Sequence, residues 1–437
     1  MSCIQNCFVV YLYRMYTCYQ KVGFSMLTPV LPDSPGKANI LARAAQATDI
    51  RWTPVRDVPT YTKATGKTVL PAGVEVTGLP YSSTEPTDKF ICENLSFETF
   101  LSAVANPDSA LYTKDLNGHR NSWTYFGMVC NGVVRHALNI RRRYSTKRFL
   151  DIPGMRMIAP AGCYRPEDLQ LGDVLRIRSS ERSHVSMITG IFVDKTGAVK
   201  EIEISEGVRP SCTRRTYAVE AFFEKHQIKY DLLRYDFVDQ VPPPEDIRFP
   251  ESKSIGVDYG DCSNYLFGEE VVLSVFTEGI QQVSLFKDGE ALQTLEITGK
   301  LTLQLEPGRY TATHTATGDT VSFRVIRPDI QYWVKNGILT VHAGSSDPES
   351  KVLCLDLREG PTSSPSDTAP AFESTLWRDP RCGAMAKIEE LTEEERNSGI
   401  FTRPIHHDAR NFKVVYENPY GIWTHTMLPL FQKVERD

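Results

Sequence analysis

Tyr125-Phe-Gly-Met-Val-Cys130-Asn131-Gly-Val-Val-Arg-His-Ala-Leu138 is the stretch around which the rest of the chain is read. Its order of residues predicts a turn that runs directly into a helix, with a cysteine in the first helical turn. Val129, Val133 and Ala137 recur four apart, as do Val134 and Leu138, which gives the helix a wide apolar stripe to bury. Unpaired N–H groups and the dipole at a helix start stabilise a thiolate and lower the thiol pKa. Cys130 is therefore a candidate nucleophile. A plain core cysteine satisfies the same pattern, because free cysteine is among the most buried residue types.

A cysteine nucleophile needs a base within hydrogen-bond reach, and the base needs a third polar group to orient it. Downstream, Leu171-Gly-Asp173-Val-Leu-Arg-Ile177 reads as a turn and a strand, and Ser183-His184-Val-Ser-Met-Ile-Thr-Gly-Ile-Phe192 as the next strand. Asp194-Lys-Thr-Gly197 is a hairpin turn signal, followed by a strand over Val199–Glu206. His184 opens its strand, at the sheet edge where clefts form. By the strand period of two, Glu206 points to the same apolar side as Ile202 and Ile204. A carboxylate there needs a partner, and an imidazole across the hairpin supplies one. Glu203 and Ser205 face the other way. His119 and His136 are rival bases, but His136 lies six residues along the Cys130 helix and projects from a different side.

Working outward, 437 residues exceed one ordinary core and imply two to four domains. With 41% hydrophobic and 24% charged residues and a net charge of −5, the composition is that of a globular protein and offers no basis for nucleic-acid binding. Arg141, Arg142, Arg143, Lys147 and Arg148 form a local basic run, read as a solvated helix end. The ten cysteines contain no C-x-x-C pair, so neither a zinc site nor a dense disulfide framework is indicated. No cofactor and no metal are expected. Phe8–Tyr13 is apolar but too short to span a membrane, and it makes a poor signal peptide.

Residues 1–37 are expected to be a poorly ordered leader or gene-model extension, with Met26 as an alternative start. A domain over 38–243 would follow, opening with a short helix over Ala38–Ala47 and a further helix over Phe97–Ala105. Val241-Pro-Pro-Pro-Glu-Asp is a linker by composition. Beyond it, short alternating runs separated by Lys-Asp-Gly, Glu-Pro-Gly and Thr-Gly-Asp turns predict an immunoglobulin-like β-sandwich over 252–328. A second β-rich module is expected over 329–437, with a polar loop over Glu359–Thr368 and a short helix near Leu391–Asn397.

Taken in order, Cys130 at a helix start, Leu171-Gly-Asp173-Val, and Ser183-His184-Val resemble the NlpC-type papain-like cysteine peptidases, a group that includes the CHAP amidases. Ile204-Ser205-Glu206-Gly207 is similar to the CHAP version, in which a glutamate orients the histidine. Gly78-Leu-Pro-Tyr81 resembles an upstream element whose tyrosine lines the active site. The resemblance covers residues 70–240 and departs from the family at Val129-Cys130-Asn131, where Asp-Cys-Ser is usual. It implies an α+β fold, a papain-like helix packed on an antiparallel sheet, with Cys130, His184 and Glu206 catalytic and Tyr81 and Asn131 lining the substrate and oxyanion site. It also implies a bacterial extracellular or cell-surface enzyme cleaving a peptide or amide of the cell wall. The β modules would then take a surface glycan or protein ligand. Two alternatives stand beside this: an acyltransferase or lipid or small-amide hydrolase on the same core, and a surface binding protein whose hydrolase domain is vestigial.

Overall fold

The computed structural model describes residues 27–62, 66–81, 96–113, 126–140, 144, 146–178, 183–247, 253–359, 377–378, 385–405, 409–424 and 428–430. His119, Tyr125 and most of the polar loop expected over Glu359–Thr368 lie outside them.

The expected leader is structured from residue 28 onward. Thr28–Pro29 (β1) pairs with Phe192 and Val193, and a helix spans Pro35–Asp49 (α1). The physical reason is local. Ser34 accepts a hydrogen bond from the Lys37 N–H as N-cap, and Pro35 occupies the first helical position, where no N–H is needed. The prolines of 27–37 thus start a helix instead of marking a linker.

Six further strands complete a seven-stranded antiparallel sheet: Met155–Ala159 (β2), Val174–Arg178 (β3), Ser183–Val193 (β4), Val199–Gly207 (β5), Cys212–Ala218 (β6) and Tyr230–Tyr235 (β7). Their order is β6-β5-β4-β3-β7-β2, with β1 on β4. Helices at Phe97–Ala105 (α2), Ala110–Thr113 (α3) and Cys130–Ala137 (α4) precede all of these but β1. Cys130, Val134, Ala137 and Leu138 share a hydrophobic cluster with Val174, Val185 and Met187, and α4 lies against β4 and β5. Val133 turns to a second cluster. Along α4 only His136 is half-buried, so the helix is enclosed on nearly every side.

Strands between Ile255 and Ile326 form a three-stranded and a five-stranded sheet, whose inner faces share Val257, Leu273, Val283, Leu285 and Phe323. From Pro328 onward, three-stranded and six-stranded sheets enclose another cluster around Leu339, Val341, Leu355, Phe412 and Trp423. A helix at Glu393–Ser398 has Thr392 and Glu395 as a reciprocal capping pair.

The α+β, papain-like fold class is corrected. The described residues are mainly β, with 45% in strands arranged in many sheets against 20% in helices. The motif order reports a helix ahead of a meander, which is a local fact. It says nothing of how the remaining sheets outweigh the helices.

Nor are the units as separate as a linker implies. Phe100, Leu101, Val104 and Leu111 share one hydrophobic cluster with Val257, Tyr265 and Leu273. Asn106 Nδ2 donates to the Val257 carbonyl at 3.0 Å, and the Ala110 N–H donates to the Asp258 carbonyl at 2.8 Å. The proline-rich linker itself is laid along α1, where Asn39 Nδ2 donates to the Val241 carbonyl at 2.8 Å.

Candidate functional site

Cys130 is the first residue of α4, behind Val129 in extended conformation and with no side-chain cap. The first-turn N–H groups of a helix have no intrahelical acceptor and point at whatever sits before it. Close approach by β5 fixes this helix start. A Cβ built on Gly207 would meet the Val129 carbonyl carbon at 2.6 Å and the Cys130 nitrogen at 2.8 Å, distances that only a missing side chain permits. A second contact of this kind holds the upstream segment. Gly78 has φ +84 and would place a Cβ 1.9 Å from the Cys212 carbonyl oxygen.

His184 and Glu206 meet across the meander. Nε2 of His184 lies 2.7 Å from Oε2 of Glu206, whose side chain is buried. That leaves Nδ1 as the ring nitrogen available to the thiol, and Cys130 and His184 are close enough for each to shift the other's proton affinity. Burial alone pushes the Cys130 thiol up. The hydrogen bond and charge of His184 outweigh it, aided by the Val185 backbone and Thr146, so the net displacement is downward from 9.0. Burial in turn pushes His184 down. Its hydrogen bonds to Cys130 and Glu206, together with their charges, raise it to about 9. Opposite displacements of this kind favour the thiolate–imidazolium form of such a pair.

The other expected residues fall into place differently. Tyr81 is threaded beside the nucleophile: its N–H donates to the Pro210 carbonyl at 2.8 Å, and the Met128 N–H donates to the Pro80 carbonyl at 2.9 Å. Burial pushes its phenol up to about 12, with the Cys130 thiol adding to the rise and the Arg209 charge opposing it. Asn131 is buried, and its Nδ2 donates to the Tyr144 carbonyl at 2.8 Å. Its side chain therefore ties α4 to the following segment, and only its backbone N–H faces the helix start. His136 is far from this chemistry. Its ring nitrogen bonds Gln46 at 3.3 Å, and burial with the Arg43 charge takes it down to about 3. Ser205 Oγ is bonded to Thr189 Oγ1 at 3.0 Å, and Glu203 pairs with Arg214 at 3.2 Å.

Two residues at the site had no signal in the sequence reading. Thr146 Oγ1 is 3.9 Å from Cys130 Sγ and buried, yet it belongs to a 3-10 turn inside the basic run. Gly207 has the look of an ordinary strand-end glycine until its neighbours are known. Gly207→Ala is expected to displace the Val129–Cys130 backbone, lower stability by about 1–3 kcal/mol and slow alkylation of Cys130. Intact-mass kinetics beside a denaturant titration check this, and an unchanged rate would contradict it.

Among the described residues no cluster of histidine, cysteine or carboxylate side chains is placed to hold a metal ion. No helix among them is long and apolar enough to cross a membrane. Fold and site together define a mainly β modular chain with a cysteine–histidine–glutamate cluster where a short helix meets a meander.

No protein-family model matches the chain, and no curated protein matches it. Solved structures similar to it include immunoglobulin-like and fibronectin-like domains. The CD2-binding domain of CD58 (lymphocyte function-associated antigen 3) is 14% identical and covers 38% of this chain and 95% of its own, with TM-score 0.18. Fibronectin(III)-like modules of Clostridium thermocellum CbhA are 10% identical, covering 40% and 91%, with TM-score 0.18. Extracellular domains 3–5 of Drosophila OTK are 13% identical, covering 41% and 66%, with TM-score 0.13. The resemblance to NlpC-type and CHAP enzymes is accordingly corrected: no family model and no curated protein supports a papain-like catalytic domain. The bacterial cell-wall substrate rested on that resemblance alone and goes with it. Short motifs of this kind recur by local geometry and do not by themselves carry a family.

Proposed function

We propose that the chain combines all-β modules that serve binding with a thiol-nucleophile centre at Cys130 that transfers acyl groups. The observation that supports the chemistry is the Cys130–His184–Glu206 relay, with His184 Nε2 2.7 Å from Glu206 Oε2 and the thiol and imidazole displaced toward the charged pair. In the forward step the Cys130 thiolate attacks an acyl carbon and the carbonyl π electrons move to oxygen. Backbone N–H groups at the start of α4 receive that oxyanion. Collapse breaks the bond to the leaving group, which takes the proton of the His184 imidazolium, and a thioester remains on Cys130. Water or an amine then attacks the thioester, neutral His184 takes its proton, and Cys130 leaves as the thiolate, which restores the pair with the imidazolium. Glu206 holds the imidazole ring in place through both halves.

A second reading, a binding protein without turnover, is favoured by the face formed by Pro328–Lys335, Ile338–Ser345 and Ile400–Pro404. Trp333, Ile338 and Ile400 are exposed on these strands. Exposed apolar groups collected on one face mark interaction surfaces. The immunoglobulin-like and fibronectin-like likeness of the solved structures stands closer to this reading than to a hydrolase.

One experiment separates the two. Full-length protein is mixed with a short-chain acyl thioester, quenched in acid and weighed. The proposal expects one acyl group on Cys130, absent in Cys130→Ala, that decays in water or passes to an added amine. Absence of any adduct on Cys130 would leave the binding reading alone.

A further inference from the structure

We infer that Arg215 is a positioning residue of the Cys130 centre. It holds the Glu206 carboxylate so that Oε2 faces His184, and through it ionic strength governs how firmly the thiolate–imidazolium pair is held. This rests on the nucleophile reading of Cys130 and adds to it a fourth residue and a regulation by salt.

The sheet register places the residue. On β6, Thr213 lies opposite Glu206 and Arg215 opposite Ile204. Cross-strand partners share a face, as do residues two apart on one strand, so Arg215 and Glu206 are diagonal neighbours on one face. A diagonal of about 7–8 Å is within reach of a long side chain. Arg214 turns to the opposite face, where it pairs with Glu203 at 3.2 Å and with Asp49 at the end of α1. The two consecutive arginines thus serve the two faces of β6. One ties the strand to α1, and the other meets the thiol centre.

Glu206 is buried, and a buried carboxylate needs both of its oxygens answered. Oε2 lies 2.7 Å from His184 Nε2, and Oε1 lies 3.5 Å from Arg215 Nη1. Charge then alternates from the Arg215 cation to the Glu206 carboxylate, the His184 imidazolium and the Cys130 thiolate. His226, just past the helix at Val219–Lys225, also senses the Glu206 charge. Burial and the Lys229 and Lys225 charges lower it below the ordinary 6.5, so it is mainly neutral at pH 7 and above. Arg215 is therefore the standing cation on the outer side of the carboxylate. A carboxylate held at both oxygens keeps one orientation, and that orientation is the one His184 uses. The Arg215 side chain is 50% exposed against 8% for Glu206, so dissolved salt reaches the outer end of this series and not its middle.

The test is a pair of titrations on the full-length chain. NMR of isotope-labelled histidine follows the His184 ring, its signal assigned by its loss in His184→Ala, and iodoacetamide alkylation read by peptide mass spectrometry follows the Cys130 thiol. In the wild type the ring titrates at about 9. Arg215→Ala is expected to lower that midpoint by about half a pH unit, the size set by an ion pair with one exposed member, and to raise the Cys130 midpoint. Arg215→Lys is expected to keep most of the wild-type value. Added salt, which needs no variant to fold, should move the wild type toward Arg215→Ala and move Arg215→Ala less. A cation that merely neighbours the imidazolium gives the opposite sign, because its removal relieves repulsion and raises the His184 midpoint. An unchanged or raised His184 midpoint in Arg215→Ala would therefore overturn the proposal. The nucleophile reading has its own readout: a wild-type Cys130 midpoint at or above pH 9 sinks it, while a lowered His184 midpoint in Arg215→Ala still upholds the role of Arg215.

Discussion

Replacing His184 with alanine is expected to slow alkylation of Cys130 at neutral pH by about a hundredfold or more, the scale on which an activating base contributes. Without the imidazole, burial is the dominant influence left on the thiol, and burial pushes it above 9.0. The thiolate fraction then falls, and the thiolate is the species that reacts. Glu206→Gln should have a smaller effect, because it keeps a hydrogen-bond partner for the ring while removing the charge that helps hold His184 up to about 9. The pH dependence has a definite sign. Below the lowered thiol pKa, Cys130 is protonated and His184 charged, so both alkylation and acyl transfer are slow. Between that point and about 9 the thiolate and imidazolium coexist and both proceed. Above about 9 the imidazolium is lost, so acyl transfer declines for want of a proton donor while alkylation does not. Rates of the two reactions measured on one preparation check this divergence, and parallel profiles would contradict it.

Asp347→Ala is expected to cost about 3–5 kcal/mol, the scale of a buried charge stripped of its partner. Arg324 is 5% exposed and donates to both carboxylate oxygens of Asp347, at 2.8 and 3.0 Å, and to Glu349 at 2.7 Å. Asp347 also accepts from Asn418 at 2.9 Å, and Asn418 donates to Asn264 at 3.0 Å. The Arg324 guanidinium lies 4.4 Å from the Tyr420 ring centroid. Thr320–Ile326, which carries Arg324, belongs to the first pair of β sheets, whereas Asn418 ends a strand of the last sheet. The network therefore clamps consecutive β units, and its loss should loosen both. Denaturant unfolding of wild type, Asp347→Ala and Asp347→Asn measures it, with the asparagine variant expected to lose less. A change below about 1 kcal/mol in the alanine variant would place the pair with exposed ion pairs of little worth.

Some of the site was legible because its geometry is local. The period of two along Val199–Gly207 puts Glu206 on the side of Ile202 and Ile204, and a hairpin later it meets His184. The apolar stripe of α4 likewise announced its burial. Contacts made across long intervals of chain left no trace in the sequence. Thr146 beside Cys130, Gly207 against the Cys130 nitrogen, and Phe100 in one core with Val257 all depend on how distant segments fold together. Asn131 shows the limit of reading by adjacency, since the residue next to the nucleophile spends its side chain on the Tyr144 carbonyl. Fold class is not legible in the motifs around Cys130 for a related reason: they report one helix and one meander, while the many sheets beyond them make the described residues mainly β.

The central claim is that Cys130 rests as a thiolate paired with His184. Its most direct test is the pH dependence of iodoacetamide alkylation at Cys130, followed peptide by peptide with Cys262 as the internal contrast. Burial and Asp261 push the Cys262 thiol up to about 11, so its rate should still be climbing at alkaline pH. The account predicts that alkylation of Cys130 rises with a midpoint below pH 9, the ordinary cysteine value. A rate at Cys130 that rises only at or above pH 9, in step with Cys262, would contradict it.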